Sequence, residues 1–314
     1  MLDEQLKAQG FPTTWDNTMR LQFRQCPRKW YWFQRRFVRE ITPAYFVWGI
    51  AWGHAMKAWY ELRPDNPADP DYMLRALLAA SRAEKYWKAQ GCENNGDNKL
   101  ESFRPIMEHY ARFYKNEDFT TIKHGAEQGW VWPIENSDYM LGGALDLYAN
   151  SDRGIIGVED KTHGGYISDG HLLGYSFSSQ VTGYVWYIKQ LHGSNEGYGV
   201  LVNVVTKKIP GPRSKWTTPR VARTWQTRTP QQLFDYRESF LWDIENFKHC
   251  WDNWFFPAAP SDARMCGGDL GFAPCEYKRL CQQDGNYRDV DPTKLGLIEL
   301  DTPWAPWERS GDDE

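Results

Sequence analysis

The spacing of apolar positions divides the chain into a helical first third and a strand-rich centre. In the first third, apolar residues recur every three or four positions, which is the period of an amphipathic α-helix. One predicted helix ends before Arg63-Pro64 and another before Gly91, and both residue types stop helices. The predicted helices cover residues 18–37, 46–62, 70–90 and 103–114. The pattern therefore predicts a helical N-terminal region over residues 1–124.

Near Gly125 the pattern changes to short apolar segments separated by turn residues, which is typical of β-strands. The predicted strands cover residues 130–134, 139–149, 154–161 and 197–206, and two further helices cover residues 178–191 and 231–255. From Pro257 onward the chain is rich in Gly, Pro and Cys and shows little periodicity. We expect an α/β core over residues 125–256, followed by a cysteine-rich tail over residues 257–314.

Composition indicates an ordered globular protein. Hydrophobic residues make up 41% and charged residues 25% of the 314 positions, close to the averages of soluble domains. The mean hydropathy is −0.70, and no segment approaches the ~18 consecutive apolar residues of a membrane span. The first residues, MLDEQLKAQG, lack the basic and apolar segments of a signal peptide. We expect a soluble protein of the cytoplasm, or of the host cytoplasm if a phage encodes it, without a membrane partner.

The charged residues are unevenly distributed, although the formal net charge is only −4. Two segments, residues 20–39 and 207–228, contain seven basic residues each and no acidic one. This distribution favours a bound polyanion, and ordinary solvated faces are the alternative. The chain also contains 17 Trp residues, most of which we assign to the core. Four aromatic residues are candidates for stacking on unpaired bases: Trp30, Tyr31, Trp216 and Trp225.

The most specific candidate chemistry lies on two adjoining predicted strands. Side chains alternate between the two faces of a strand, so Glu159 and Lys161 share one face. A tight turn over residues 150–154 brings Asp146 of the preceding strand alongside them. Two carboxylates beside an ammonium suit Mg²⁺ or Mn²⁺, and the lysine can orient or deprotonate an attacking water. An isolated Glu-x-Lys is usually a solvated ion pair, but Gly142-Gly143, Asp146 and the turn make this pattern more specific.

The segments GALDLYA and GIIGVEDKTH resemble the PD-(D/E)XK nuclease superfamily, specifically its RecB-like branch. Two further matches support the resemblance. Gln180 and Tyr184 fit the Q-x-x-x-Y signature of that branch, and His54 fits its upstream helical histidine. The resemblance implies an α/β fold with a restriction-endonuclease-like core, in which helices flank a mixed central sheet.

The resemblance also implies a role for each candidate residue. The implied metal ligands are Asp146, Glu159, His54 and the backbone carbonyl of Asp160. Lys161 would be the catalytic lysine, and Gln180 and Tyr184 would contact or position DNA. Glu127 is a candidate accessory acidic group or else a solvated carboxylate at a strand edge, and His163 is a candidate substrate contact.

Six cysteines occur, and an intracellular chain rarely pairs them in disulfides. Four of them resemble the ligands of a structural [4Fe-4S] cluster in the AddB and CRISPR-adaptation nucleases of this branch: Cys26, Cys266, Cys275 and Cys281. Such a cluster would join the first helix to the tail, so that the chain forms one integrated domain. The spacing Cys266-x8-Cys275 is wider than in those nucleases, so a Zn²⁺ site and unrelated thiols are alternatives. We expect Cys92 and Cys250 to be free thiols.

These patterns predict a metal-dependent deoxyribonuclease, specifically an exonuclease that acts on single-stranded DNA or on DNA ends. The chain has no G-x-x-x-x-G-K-[ST] motif, so a separate helicase, recombinase or CRISPR-adaptation partner would supply its substrate in repair or recombination. A structure-selective or sequence-specific endonuclease is one alternative. A catalytically silent DNA-binding subunit of a recombination or repair complex is another.

Overall fold

A computed structural model of the protein describes residues 2–63, 70–210, 219–259, 266, 274–283 and 286–309. Its helices are α1 Leu2–Gln9, α2 Asn17–Gln25, α3 Pro27–Gln34, α4 Ala44–Glu61, α5 Tyr72–Ala89, α6 Phe103–Phe113, α7 Asp169–Gly174, α8 Ser179–Glu196, α9 Pro230–Asp252 and α10 Lys278–Cys281. Its strands are β1 Thr14–Trp15, β2 Phe37–Arg39, β3 Phe119–Pro133, β4 Met140–Ser151, β5 Gly154–His163, β6 Gly197–Thr206, β7 Val221–Gln226 and β8 Leu297–Glu299. Among these helices, none is long and apolar enough to cross a membrane.

Six strands form a mixed sheet in the order β1-β4-β5-β6-β7, with β3 also paired to β4. β4 and β5 are antiparallel, whereas β5 and β6 are parallel and are connected through α8. A parallel pair needs such a crossover, because a tight turn can join only antiparallel strands. The carboxyl ends of β5 and β6 therefore lie at the same edge of the sheet. This arrangement confirms the predicted α/β fold with helices flanking a mixed sheet.

The chain forms two compact units, each assembled from separate stretches of sequence. The first unit comprises Met1–Ile41, Val131–Gly143 and Phe234–Pro306, and the second comprises Thr42–Trp130, Ala144–Leu233 and Trp307–Glu314. Every residue of the predicted active site belongs to the second unit. The four candidate cluster cysteines belong to the first.

The core of the second unit lies between the sheet and helices α4, α5 and α6. α5 contributes a row of buried alanines, which lets neighbouring helices approach closely: Ala76, Ala79, Ala80 and Ala83. Trp48 and Trp52 of α4 stack in this core with ring centroids 5.8 Å apart. Ten of the 17 Trp residues are buried in the described part of the chain, so the tryptophans mainly supply core volume.

The prediction of a single helix over residues 18–37 is wrong, because the helix is interrupted at Cys26. α2 ends at Gln25, Cys26 is extended at φ −168°, and Pro27 begins α3. Proline cannot donate the hydrogen bond that would continue α2, but it fits the first turn of a new helix. β2 then follows at Phe37 and pairs with β8 in antiparallel orientation. The apolar period runs across the break, since both helices bury one side.

The predicted strands also need correction at two points. β3 begins at Phe119 rather than at Trp130, and β7, over Val221–Gln226, was not predicted. Both additions are rich in polar residues, and their burial comes from partners distant in the sequence. Periodicity within one segment does not show such pairing.

The basic segment 20–39 is not a free cationic surface. Arg20 and Arg24 both pair with Asp243 of α9, and Arg24 Nε lies 2.9 Å from Asp243 Oδ2. Farther along, Arg36 Nη2 lies 2.8 Å from Glu299 Oε1. Arg20, Arg24 and Arg36 thus hold the first unit together. For the rest of the segment the polyanion-binding surface stays a prediction.

Two of the proposed base-stacking aromatics are also wrong. Trp30 and Tyr31 are 0% exposed and lie in the core of the first unit. Trp225 of the second unit is half-buried, and the Arg153 guanidinium covers its ring at 4.7 Å. The fourth candidate, Trp216, lies outside the described residues.

Candidate active site

The β4–β5 hairpin brings the predicted catalytic carboxylates together. Leu147 lies opposite Val158 in this antiparallel pair, so Asp146 and Glu159 occupy the next positions on the two strands. The backbone N–H of Asp160 donates a hydrogen bond to Asp146 Oδ2 at 2.7 Å. At the other end of the hairpin, Gly154 adopts a φ of +117°, which side chains rarely permit. The turn at Gly154 thus fixes the register that places Asp146 beside Glu159.

Lys161 completes a cluster of three residues on this hairpin. Its Nζ donates a hydrogen bond to Glu159 Oε1, and its side chain is 31% exposed. Burial lowers the pKa of Lys161, but the carboxylates of Glu159 and Asp146 outweigh burial and raise the pKa overall. In this arrangement the ammonium stays protonated at neutral pH. It can therefore donate hydrogen bonds to a phosphate and offset its charge.

The two carboxylates are crowded and only partly satisfied. Burial raises the pKa of Asp146 well above its usual value, and the neighbouring carboxylates of Glu159 and Asp160 raise it further. Glu159 is 3% exposed, and its Oε2 has no hydrogen-bond partner among the described residues. A buried carboxylate oxygen without a partner is costly unless a cation compensates it. The donor set of Asp146 and Glu159 therefore fits a hard divalent cation such as Mg²⁺ or Mn²⁺.

The predicted histidine ligand, His54, lies on α4. Its ring packs against that of Tyr86 on α5, with ring centroids 4.3 Å apart. In the part of the chain that the structure describes, no three His, Cys, Asp or Glu side chains are arranged to hold a metal ion. The fold thus brings Asp146, Glu159 and Lys161 together and places the His54 ring against α5.

Glu127 of β3 approaches α4 beside His54. Its backbone φ of +49° lies in the left-handed region, which is unusual for a glutamate. A Cβ atom added to Gly53, the residue before His54, would lie 3.9 Å from Glu127 Oε1. Backbone strain of this kind concentrates at functional sites. Glu127 therefore remains a candidate accessory acidic group.

The Asp160 side chain faces away from Glu159 and Lys161, on the other side of β5. Its carboxylate accepts hydrogen bonds from Tyr60 Oη at 3.0 Å and from Asn203 Nδ2 at 2.6 Å. Burial raises the pKa of Asp160 to about 7, and these two donors oppose the rise. The carboxylate is thus held by core residues. The metal ligand that the family resemblance implies at this position is the backbone carbonyl of Asp160, not its carboxylate.

The predicted Q-x-x-x-Y pair lies on α8, the helix that follows the Lys161 strand. Ser178 caps this helix by accepting a hydrogen bond from the Val181 N–H. Gln180 Nε2 donates to Tyr184 Oη at 2.9 Å. The Tyr184 side chain is buried, whereas Gln180 is half-buried. Of the two, Gln180 is therefore the more accessible to a ligand.

The sequence analysis did not identify Tyr175, which the fold places near Lys161 and Glu159. Burial raises the pKa of Tyr175. The charge of Lys161 lowers this pKa and the charge of Glu159 raises it, so the phenol is close enough to interact with both residues. Its Oη lies 3.3 Å from His171 Nε2, and the His171 ring packs on that of His163 at 4.1 Å. The four-residue spacing of His171 and Tyr175 was the available signal, because such residues share one helix face.

The second basic segment, 207–228, is also largely committed to internal contacts. Arg223 forms an ion pair of 2.5 Å with Glu117, and the Arg228 guanidinium donates to Thr182 Oγ1 at 2.9 Å. The prediction that this whole segment tracks a polyanion is therefore wrong for these two arginines, because core partners already neutralise or hydrogen-bond them. Two basic residues of the segment lie outside the described residues: Arg213 and Lys215.

The four candidate cluster cysteines lie in the first unit. The charges of Cys26 and Cys266 raise the pKa of the Cys281 thiol, and those of Cys266 and Cys281 raise the pKa of the Cys275 thiol. Burial is the largest effect on Cys275 and Cys281 and raises the pKa of each. None of the four forms a disulfide. The first unit thus contains thiols that are up to 255 positions apart in sequence (Cys26 and Cys281), but among the described residues they are not arranged to hold a metal ion.

Comparison with known proteins agrees with the geometry of the hairpin. The family model of the PD-(D/E)XK nuclease superfamily matches residues 21–282, which include Asp146, Glu159 and Lys161. No curated protein matches the chain. The matched range spans most of the sequence and both compact units, so the chain belongs to the PD-(D/E)XK nuclease superfamily.

Proposed function

We propose that this chain is a Mg²⁺- or Mn²⁺-dependent deoxyribonuclease. The observation that carries the proposal is the Asp146–Glu159–Lys161 cluster, in which a buried Glu159 oxygen has no donor among the described residues. Family membership supplies the reaction class, which is hydrolysis of phosphodiester bonds by a nuclease. A bound divalent cation supplies charge that polarises the scissile phosphate and lowers the pKa of water.

Each residue of the site has a task in this proposal. Asp146 and Glu159 would hold the cation, and His54 and the Asp160 carbonyl are the further ligands that the resemblance implies. Lys161 donates from the ammonium to the scissile phosphate and offsets the negative charge that grows during in-line hydrolysis. Gln180 contacts the DNA strand from α8, and Tyr184 holds the Gln180 amide in place through their 2.9 Å hydrogen bond.

We infer that the enzyme is an exonuclease acting on single-stranded DNA or on free ends. The support is the resemblance of Gln180, Tyr184 and His54 to the RecB-like branch of nucleases. A helicase, recombinase or CRISPR-adaptation partner would then present the ends during recombination or repair. Endonuclease action is the competing proposal, and the form of the DNA substrate separates the two.

The nuclease proposal is tested by a time course on end-labelled linear DNA, single- and double-stranded, and on closed circles, with Mg²⁺, Mn²⁺ or EDTA. Linear DNA should disappear only with metal, and Lys161→Ala should slow the loss by roughly 10²–10⁴-fold. Lys85→Ala makes the same change at an exposed lysine of α5 and should behave as wild type. Full activity of Lys161→Ala would overturn the site assignment.

The same time course separates the alternatives. Opening of closed circles would replace the exonuclease by an endonuclease. DNA binding without cleavage in either metal would instead support a catalytically silent DNA-binding subunit.

We also propose that Cys26, Cys266, Cys275 and Cys281 hold a structural [4Fe-4S] cluster, with Zn²⁺ as the alternative. The support is the resemblance of these four positions to the cluster ligands of related nucleases, together with their place in one compact unit. Thiolates are the ligands that both centres require. In either case the metal centre would tie the α2–α3 junction to the tail.

The cluster proposal is tested by iron and zinc analysis of anaerobically purified protein. Wild type should be brown, and Cys275→Ala should lose the colour and unfold at a lower temperature. Cys250→Ala, which removes a thiol of α9 outside the group of four, should keep the colour. A colourless protein with zinc would select the Zn²⁺ site, and a metal-free, fully stable wild type would remove both.

A further inference from the structure

A cavity of about 560 Å³ lies in the second unit beyond the end of the catalytic strand. Its lining includes Thr162 and Gly164, which follow Lys161 closely in the chain, and Lys207, which follows β6. The Lys207 N–H donates to the His163 carbonyl at 2.9 Å, so the two strand ends lie side by side. The cavity therefore lies at the carboxyl ends of β5 and β6, on the face of β5 that carries Thr162, and contains no residue assigned to the candidate active site.

Lys207 brings a buried positive charge to this cavity. The residue is 8% exposed, and its Nζ donates to the Tyr45 carbonyl at 2.7 Å and to Asn98 Oδ1 at 3.4 Å. Both acceptors are neutral, and none of the described carboxylates pairs with this ammonium. Burial lowers the pKa of Lys207 to about 8, and no acidic group opposes the change. An anion bound in the cavity would supply the missing counter-charge.

One acidic side chain lines the cavity, but it has a partner of its own. Asp97 Oδ1 lies 3.8 Å from Lys208 Nζ. The Asp97 charge is thus offset by a second lysine, and the charge of Lys207 remains for a ligand. The charge balance of the cavity therefore favours an anion over a cation.

Two exposed aromatic rings stand next to this charge. Tyr45 lines the cavity and is 40% exposed, and Phe46 beside it is 56% exposed. Their ring centroids are 4.5 Å apart. A buried cation beside exposed aromatic rings matches the two parts of a nucleotide, a phosphate and a base with a π face. Bases in a duplex already stack on each other, so this surface suits an unpaired nucleotide.

We propose that the cavity binds one nucleotide of single-stranded DNA. Lys207 binds the phosphate of that nucleotide, and Tyr45 and Phe46 contact its base. The proposal rests on the proposed nuclease function. The subsite gives the enzyme a preference for unpaired DNA.

The test measures binding of a fluorescent oligothymidylate to the full chain in EDTA by anisotropy, over a series of salt concentrations. Lys207→Gln and Phe46→Ala should each raise the Kd roughly 10-fold. Lys207→Gln should also lower the slope of log Kd against log salt by about 0.7, because one phosphate contact is lost. Phe46→Ala should leave that slope unchanged. A purely structural role for Lys207 would not change the slope.

Two matched variants serve as controls. Lys85→Gln removes an exposed lysine of α5, and Phe113→Ala removes a phenylalanine of α6 that is 64% exposed. Both should bind as wild type does. Thermal unfolding of every variant checks the fold, and if Lys207→Gln does not fold, the exposed Phe46→Ala decides the outcome alone.

The outcomes separate this subsite from the nuclease proposal. Unchanged affinity in Lys207→Gln and Phe46→Ala, with a wild type that still cleaves DNA, overturns the subsite and leaves the nuclease. If the wild type neither cleaves nor binds DNA, titration with thymidine 5′-monophosphate decides the matter. Binding that depends on Lys207 then keeps the nucleotide site and removes the nuclease, and no binding removes both.

Discussion

The β4–β5 hairpin of the second unit, which carries the proposed active site, and the basic segment of the first unit differ in how their charges are paired. In the basic segment, four of the seven cations pair with carboxylates, as when Arg20 and Arg24 share Asp243. On the hairpin, the carboxylates of Asp146 and Glu159 are crowded, and Glu159 Oε2 has no donor among the described residues. The comparison teaches that a functional site is marked by charge whose partner is missing. A local excess of charge in the sequence is a weaker sign.

The difference has an energetic basis. A buried ion pair recovers part of its desolvation cost through mutual attraction, so removal of one partner exposes the full cost of the other. Crowded carboxylates lower the stability of the metal-free fold, and a bound cation would restore it. The same substitution, Asp to Asn, should therefore have opposite effects on stability in the two regions.

Asp146→Asn should have the largest effect. Cleavage should fall by roughly 10³-fold or more, because a carboxylate of the proposed metal site is lost. Without metal, the variant should unfold at a higher temperature than wild type at pH 8, because the Asp146 charge is removed from beside Glu159 and Asp160. Mg²⁺ should raise the unfolding temperature of wild type only. An unaltered response to Mg²⁺ in the variant would show that Asp146 does not bind the cation.

Asp243→Asn makes the same change in the first unit and should lower the free energy of unfolding by about 3 kcal/mol. The reason is that Arg20, which is 4% exposed, would lose its counter-charge. Denaturant titration measures the loss, and cleavage by the folded variant should match wild type. A stability equal to that of wild type would contradict the view that this segment serves the fold.

Local patterns in the sequence predicted the β4–β5 hairpin and its cluster, because the turn and the strand alternation lie within 16 consecutive residues, Asp146 to Lys161. α8 was predicted for the same reason. Contacts between segments that are distant in the sequence were not predicted. The partners of Arg20 lie more than 200 residues away, and the place of Tyr175 beside Lys161 depends on how α7 packs. A basic segment in the sequence does not show where its counter-charges are.

Asp160 should contribute to the pH dependence of stability, in the same direction as Asp146. In the unfolded chain an aspartate titrates near 3.8, whereas burial raises the pKa of Asp160 in the folded protein to about 7. Between these values the folded state keeps a proton that the unfolded state has released, so stability falls as the pH rises from 4 to 7. One such group contributes at most ~1.4 kcal/mol per pH unit. Asp160→Asn should flatten this part of the curve, measured by denaturant titration in EDTA, and a variant with an unchanged curve would assign the effect to other groups.

The smallest effect should come from Arg24→Ala, which tests whether the basic segment 20–39 contributes to DNA binding. Arg24 is 47% exposed and shares Asp243 with the buried Arg20, so its loss should cost less than ~1 kcal/mol. Oligothymidylate affinity should stay within about twofold of wild type, whereas Lys207→Gln should lose roughly 10-fold. If Arg24→Ala weakened DNA binding as much as Lys207→Gln, the basic segment would contact DNA after all. Matched charge would then no longer distinguish a structural surface from a functional one in this protein.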